Sequence, residues 1–407
     1  MIPNRWLVHM TACLVTITLV MTVTSGCWSR KEIEDLAFVM AMGVDRSPSG
    51  NIQMTAQFAK PGAMGGAQDQ ASQEKPFWVA TTEGDTMFEA FRKLGYLSPK
   101  RPYLPHNDFY LFGEDIFREF GLKPFLDFII RDTEPRLSAR IGVVRSTSAK
   151  DFLQAEFEGM PLSSEALRGI MNHLMNAWGT IPDITIREFV DRMESEGIEP
   201  IAMGAELIPL APDVEIEGDP TREQIKATAT LGGAAVFKGD YLVGWLDGFE
   251  TRGLNWILGK VKNTVVEFPH PGHEDKIVSV GILRATGKFK VEAEGNRVRA
   301  SIEVNAVGNL GCVQEPVDLM KEPELWTKLE AGAQSTIEDE ISRAVATLQR
   351  LGSDAVGFGQ YIFRRNPRQW ATLRERWDEI FPAIEVSTSV KVHLREMGVI
   401  LKSTESR

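Results

Sequence analysis

Between residues 289 and 306 the chain alternates apolar and polar residues with a period of two. Phe289, Val291 and Ala293 are interleaved with Lys290, Glu292 and Glu294. Gly295-Asn296 makes a two-residue turn, and Val298, Ala300, Ile302, Val304 and Ala306 carry the alternation back. Such a stretch folds as a hairpin with one face buried. Successive side chains of a strand point to opposite faces, so a slip of one residue would turn every apolar group into water. The period then changes. From about Glu324, the residues Leu325, Leu329, Ala333, Ile337, Ile341, Val345 and Leu348 recur every three or four positions, one apolar stripe along a long helix. A half-buried sheet and a one-striped helix must each cover an apolar face. Packing them together gives a helical layer on a largely antiparallel sheet.

The rest of the chain follows the same logic. Residues 36–45 read as a buried strand, 46–51 as a turn and 52–58 as a second strand. Residues 60–76 are rich in Gly, Ala, Gln and Ser without periodicity and read as a surface loop. A strand at 77–81 precedes a helix capped by Asp85 and carrying Met87, Phe88, Phe91 and Leu94. A short apolar strand occupies 109–112. Two helices follow, one with Ile116, Phe117 and Phe120, the next opened by Pro124 and burying Phe125, Phe128 and Ile129. Residues 139–144 return as a strand. Residues 146–215 are mostly helical, with caps at Ser148, Ser163 and Thr185, and end in a strand at 201–210. The acidic stretch 212–224, with Pro212, Gly218 and Pro220, is the expected boundary between an N-terminal mixed α/β region (27–215, divisible at 145/146) and a C-terminal domain (216–407). That domain opens with strands at 227–237 and 241–246 around Lys238-Gly239-Asp240. A helix over 249–258, strands at 261–268 and 277–283, a helical stretch over 354–381 broken near Pro367 and a strand at 386–394 complete it. The expected class is α+β, mixed α/β, and multi-domain.

The N-terminus places the chain. Arg5 is the only charged residue in 1–26, an apolar run covers 14–23, and Ser25-Gly26 precede Cys27. A basic start, a short apolar core and small residues form a secretory signal, here over residues 1–26. The run is too short for a membrane span, which takes about 20 apolar residues. A cysteine directly after the small pair marks a lipoprotein signal, in which Cys27 takes a diacylglyceryl group and becomes the first mature residue; two acyl chains anchor a protein stably. The formal charge is −11 and becomes one unit more negative once Arg5 is removed. Such a balance excludes nucleic acid as a partner and leaves membrane retention to the anchor. With Cys27 lipidated, Cys312 has no disulfide partner in the mature chain and is expected to be a small buried apolar group.

A search for chemistry finds no phosphate loop, no nucleophile elbow and no Cys-x-x-Cys pair. In His270-Pro271-Gly272-His273-Glu274-Asp275 the Pro-Gly pair breaks the spacing that would set two histidines on one helical face, so the stretch reads as a polar inter-strand loop. His106 and Asp108 could act as an acid/base pair, but as near neighbours at a strand start they read as a turn contact. Arg131-Asp132 places a cation at a helix C-terminus, and His393 falls on the polar face of the last strand. Trp370 and Trp377, seven apart, read as core. No metal, cofactor or catalytic residue is assigned.

The stretch Gly26-Cys27-Trp28-Ser29-Arg30-Lys31-Glu32-Ile33-Glu34-Asp35-Leu36-Ala37 resembles the mature start of the Ger(x)C lipoproteins, the C subunits of nutrient germinant receptors in endospore-forming bacteria. The resemblance continues through His106, Arg131-Asp132, residues 235–246, Glu250-Thr251-Arg252-Gly253, residues 354–359 and residues 370–398, in order along nearly the whole mature chain. It implies a mixed α/β ectodomain, membrane-embedded A and B subunits as partners, and a place on the outer face of the cell membrane or the inner membrane of the spore. It brings no catalytic residues. Two other classes share the anchor. A solute-binding lipoprotein of a transporter would show two similar lobes, whereas these halves differ in kind. A lipid-anchored hydrolase would need a nucleophile or metal constellation.

Overall fold

The computed structural model describes residues 5–24, 32–60, 77–157, 160–161, 163–209, 227–295, 297–314 and 323–395. Cys27, the acidic stretch 212–224 and, apart from Lys60, the loop expected over 60–76 lie outside the described residues. The strands, in chain order, are β1 (Leu36–Arg46), β2 (Ile52–Ala59), β3 (Phe77–Gly84), β4 (Arg101–Tyr103), β5 (Phe109–Gly113), β6 (Arg140–Arg145), the short pair β7 (Glu156–Phe157) and β8 (Met160–Pro161), β9 (Ile201–Pro209), β10 (Ala227–Lys238), β11 (Tyr241–Leu246), β12 (Thr264–His270), β13 (His273–Glu294), β14 (Arg297–Val313) and β15 (Glu385–Leu394).

The first sheet runs β11-β10-β9-β6-β5-β1-β2-β3, with β4 beside the start of β1. Its centre is parallel, β1 with β5, β5 with β6 and β6 with β9, and both flanks are antiparallel. Parallel strands are covered on both faces, which is why β5 is an unbroken buried run rather than an alternation. Tyr110 and Phe112 share one face with Phe125, Ile129 and Phe189. Phe109 and Leu111 meet Phe152, Leu167 and Met171 on the other. The helices start where their caps predict. Ser148 accepts from the Asp151 N–H, Ser163 from that of Ala166, and Thr185 forms a capping box with Glu188. The helix Met87–Leu94 is the exception, capped by Thr86 rather than Asp85. Strand β3 runs on to Gly84, which pushes the helix start one residue along; Asp85 instead donates its N–H to Glu89.

The second sheet has the order β12-β13-β14-β15, antiparallel except where β15 runs parallel to β14. The expected hairpin forms with its predicted pairing, Phe289 opposite Ile302 and Val291 opposite Ala300, and its first arm is the end of one 22-residue strand, β13. The helix Pro323–Leu351 covers this sheet. Leu329, Ala333, Ile337, Ile341 and Leu348 are all fully buried.

Two expectations are corrected. The strands at 227–237 and 241–246, assigned from sequence to the C-terminal domain, complete the first sheet: β10 pairs with β9 and β11 with β10. The acidic stretch before them therefore connects two neighbouring strands of one sheet. Cys312 is exposed, not buried. A register shift at Ser279/Val280, opposite Gly311, breaks the alternation that buries Val298 through Ala306, so Cys312 falls on the water side.

The helix Arg5–Thr24 stands apart from both cores; Trp6, Leu7, Leu14, Val15 and Met21 are all more than half exposed. Among the described residues no helix is long and apolar enough to cross a membrane.

Candidate functional site

Residues that carry the family resemblance converge between the two sheets, in two buried polar nodes. The first is built on the helix Gly248–Ile257, whose N-terminus is fixed by a capping box of Asp247 and Glu250. From it Arg252, 2% exposed, reaches Glu340 of the long helix, 1% exposed, through a two-pronged bond. The Arg252 Nε donates to Glu340 Oε2 at 2.9 Å and its Nη2 to Oε1. Trp256 Nε1 donates to the same carboxylate at 2.9 Å. The Arg252 Nη1 donates to the Val265 carbonyl at 2.9 Å and to Thr264 Oγ1 at 3.2 Å, both in β12. Thr264 in turn donates to the Trp178 carbonyl at 2.9 Å. One guanidinium thus joins two helices, the second sheet and the segment after the helix Ser164–His173. Its planar fork suits this, meeting both carboxylate oxygens with parallel donors while another N–H reaches the strand carbonyl.

Gly253 makes the approach possible. A Cβ there would stand 2.2 Å from the Glu340 carbonyl oxygen and 2.9 Å from Ala344 Cβ. Gly253→Ala is expected to destabilise the fold by about 1–3 kcal/mol through overpacking, although alanine is the better helix former. Urea unfolding of the full chain measures it, and an unchanged or raised midpoint would show that the helices part without loss.

The second node is Asp354, 2% exposed, in the loop between the helices Pro323–Leu351 and Phe358–Arg365. Its carboxylate accepts from the N–H groups of Gly357, Phe358 and Gly359 at 2.8, 3.0 and 2.8 Å, and from Trp377 Nε1 at 3.3 Å. Burial pushes this carboxyl up to about 6, against the pull of those four donors. Gly357 sits at φ +90°, a conformation that favours glycine. The Asp354 carbonyl accepts from Glu199 N–H, Arg192 donates to the Glu199 and Ala355 carbonyls, and Glu199 accepts from Gly239 N–H. Burial lowers the Arg192 guanidinium to about 10 and raises the Glu199 carboxyl. Trp370 packs edge-on against Trp377, ring centres 5.1 Å apart, and donates to Glu196. The loop 352–357 and the first turn of the helix after it are thereby bound to loop 194–200 and to the β10–β11 turn.

Of the other sequence candidates only His270 and His273 come together, their ring centres 5.5 Å apart across the β12–β13 turn. His106 lies in a short turn against the Phe38 ring, while Asp108 faces Arg168. Arg131, in the last turn of its helix, pairs with Asp127 one turn back. His270 is buried in the turn, its Nδ1 accepting from Gly272 N–H, while His273, Glu274 and Asp275 are exposed. His393 is exposed beside Glu330.

Sequence reading missed Glu340, Arg192 and Glu199, and also Asp45, which is buried and caps the helix Ala149–Gln154 by accepting from Ala149 and Lys150 N–H. Only Glu340 left a signal. It stands three residues after Ile337 and four before Ala344, on the apolar stripe, where a carboxylate demands a buried cation.

A family model for the N-terminal domain of spore germination proteins matches residues 29–206, and one described as spore germination B3/GerAC like, C-terminal, matches 232–398. Spore germination protein KC of Bacillus subtilis (strain 168) is 26% identical over 394 residues, covering 95% of this chain and 96% of its own. Spore germination protein B3 of the same organism is 24% identical over 381 residues, covering 93% and 95%. The crystal structure of the GerBC protein shares the fold, with a TM-score of 0.51 at 19% identity over 89% of this chain and 99% of that one. Arg252 and Asp354 lie in the second matched region, and Trp178, Arg192 and Glu199, which they engage, in the first. With both regions matched in order and relatives aligned end to end, the chain belongs to the Ger(x)C family of spore germination proteins.

Proposed function

We propose that this chain is a lipid-anchored, non-catalytic subunit of a spore nutrient germinant receptor, tethered through Cys27 and acting on membrane-embedded A and B subunits at the inner membrane of the spore. The observation that carries the reading is the alignment with spore germination proteins over 95% of the chain. The absence of a catalytic role is supported by how the family stretches are used: the donors of Arg252 and the acceptors of Asp354 are engaged by the fold itself, away from water. The anchor is supported by the helix Arg5–Thr24, apolar, unpacked and ending three residues before Cys27. A tether confines the ectodomain to a thin layer, so weak docking surfaces meet partner subunits at high effective concentration.

In a strain that keeps this receptor as its only one, deleting the gene is expected to abolish germination on the nutrients the receptor serves, with germination by a route that bypasses nutrient receptors intact. Cys27→Ala should leave the mature N-terminus unmodified by mass spectrometry and reduce the response. Normal nutrient germination of the deletion strain would overturn the receptor reading, and an unmodified wild-type Cys27 would overturn the anchor.

A further inference from the structure

Residues 92–101 hold Arg92, Lys93, Lys100 and Arg101 and no acidic residue, in a chain whose formal charge is −11. The segment leaves the helix Met87–Leu94, bends at Gly95 and ends in β4. At its tip Tyr96 is 88% exposed and Leu97 52%; Phe88, on the helix the segment leaves, is 48% exposed. Grouped exposed apolar side chains of this size mark an interaction surface rather than a packing accident. The surrounding charges leave a positive excess. Lys93 pairs with Glu89 and Arg101 with Glu134, while Arg92 lies over the Phe88 ring. No ion pair to Arg92 or Lys100 occurs among the described residues.

The register shows where this loop stands. Arg101 is paired with Leu36 and Pro102 with Ala37, so the loop returns to the body beside the point where the mature chain enters it. Leu36 is nine residues after Cys27, a span of at most about 30 Å. Ile33, on the way, is 73% exposed. The loop therefore lies beside the point where the chain coming from Cys27 joins the folded body.

We infer that the loop 92–101 is the face on which the ectodomain rests on an anionic lipid surface, with Tyr96 and Leu97 entering the headgroup layer and Arg92 and Lys100 meeting lipid phosphates. Tyrosine is suited to that layer, with an apolar ring and a polar tip. Basic residues held near an anionic membrane are attracted to it within a screening length of the surface. The overall negative charge does not oppose this, because screening limits its reach to about 8 Å and the local charge decides. The tether supplies retention; the loop supplies orientation, fixing which faces of the two sheets look along the membrane. The inference rests on the anchoring proposed above.

The full lipidated chain carrying Cys312→Ser and a spin label at Ser98→Cys tests it, in phosphatidylcholine vesicles with or without phosphatidylglycerol. Flotation reports the anchor, and relaxation by a water-soluble paramagnet reports the loop. The expected result is flotation in every case, with access of the paramagnet to residue 98 falling severalfold only when phosphatidylglycerol is present. That protection should be lost in Arg92→Glu/Lys100→Glu and in Tyr96→Ser/Leu97→Ser. Flotation with residue 98 fully water-accessible overturns the docking and leaves the anchor standing. Failure to float overturns the anchor and the docking with it. Protection that appears only when A and B subunits are co-reconstituted overturns the lipid contact in favour of a protein one.

Discussion

Glu340→Ala is expected to destabilise the protein by about 3–5 kcal/mol, the range found when one partner of a buried ion pair is removed. The loss of attraction is the smaller part. Arg252 would be left at 2% exposure with no carboxylate, only Thr264, carbonyl oxygens and the face of the Phe249 ring, and Trp256 Nε1 would lose its acceptor. Arg252→Met should cost a similar amount by stranding the Glu340 carboxylate. The double variant, Arg252→Met with Glu340→Met, should be more stable than either single one, since two apolar chains of similar length leave no buried charge. It should not regain wild-type stability, because the Val265 carbonyl and Trp256 Nε1 remain without their partners. Urea unfolding of the full chain, followed by tryptophan fluorescence, gives the four midpoints. A Glu340→Ala variant within about 1 kcal/mol of wild type would mean that water reaches the pair.

The legible part of this fold is the part with a period. The hairpin at 289–306 and the stripe from Leu325 to Leu348 were readable because one face of each is wet, so burial is printed on the sequence as alternation. Caps at Ser148, Ser163 and Thr185 were readable because their chemistry is local. Sheet membership was not. Strands β10 and β11 look the same whether they open a second sheet or close the first, and the choice lies in pairing with β9, across the intervening acidic stretch. The nodes show the same division. Arg252 and Asp354 stood out only through the family resemblance; Glu340 and Trp178 lie 88 and 74 positions from Arg252, and Glu199 lies 155 from Asp354, and no local pattern ties such residues together. Net charge likewise hid the basic loop 92–101, since a sum over the chain erases where its charges sit.

Asp354→Asn is expected to lower stability by at least about 2 kcal/mol, although the side chain keeps its size. The carboxylate is met only by donors, three backbone N–H groups and the indole of Trp377. An amide offers one acceptor oxygen and turns an NH2 toward the remaining N–H groups, leaving buried donors unpaired. The loop 352–357 should loosen first, and with it the contact of Asp354 and Ala355 with Glu199 and Arg192. The pH dependence discriminates further. With the folded carboxyl raised to about 6 from an ordinary 3.8, the native state holds a proton that the unfolded chain has released in the window between those values. Stability from this group is then fully present below about pH 4, falls as pH rises toward 6 and is flat above. Asparagine does not titrate, so the stability gap between wild type and Asp354→Asn should narrow as pH rises from 4 to 6. Unfolding midpoints of both proteins across that window measure the gap. A gap that widens instead would show that the four donors outweigh burial and hold Asp354 charged in the fold.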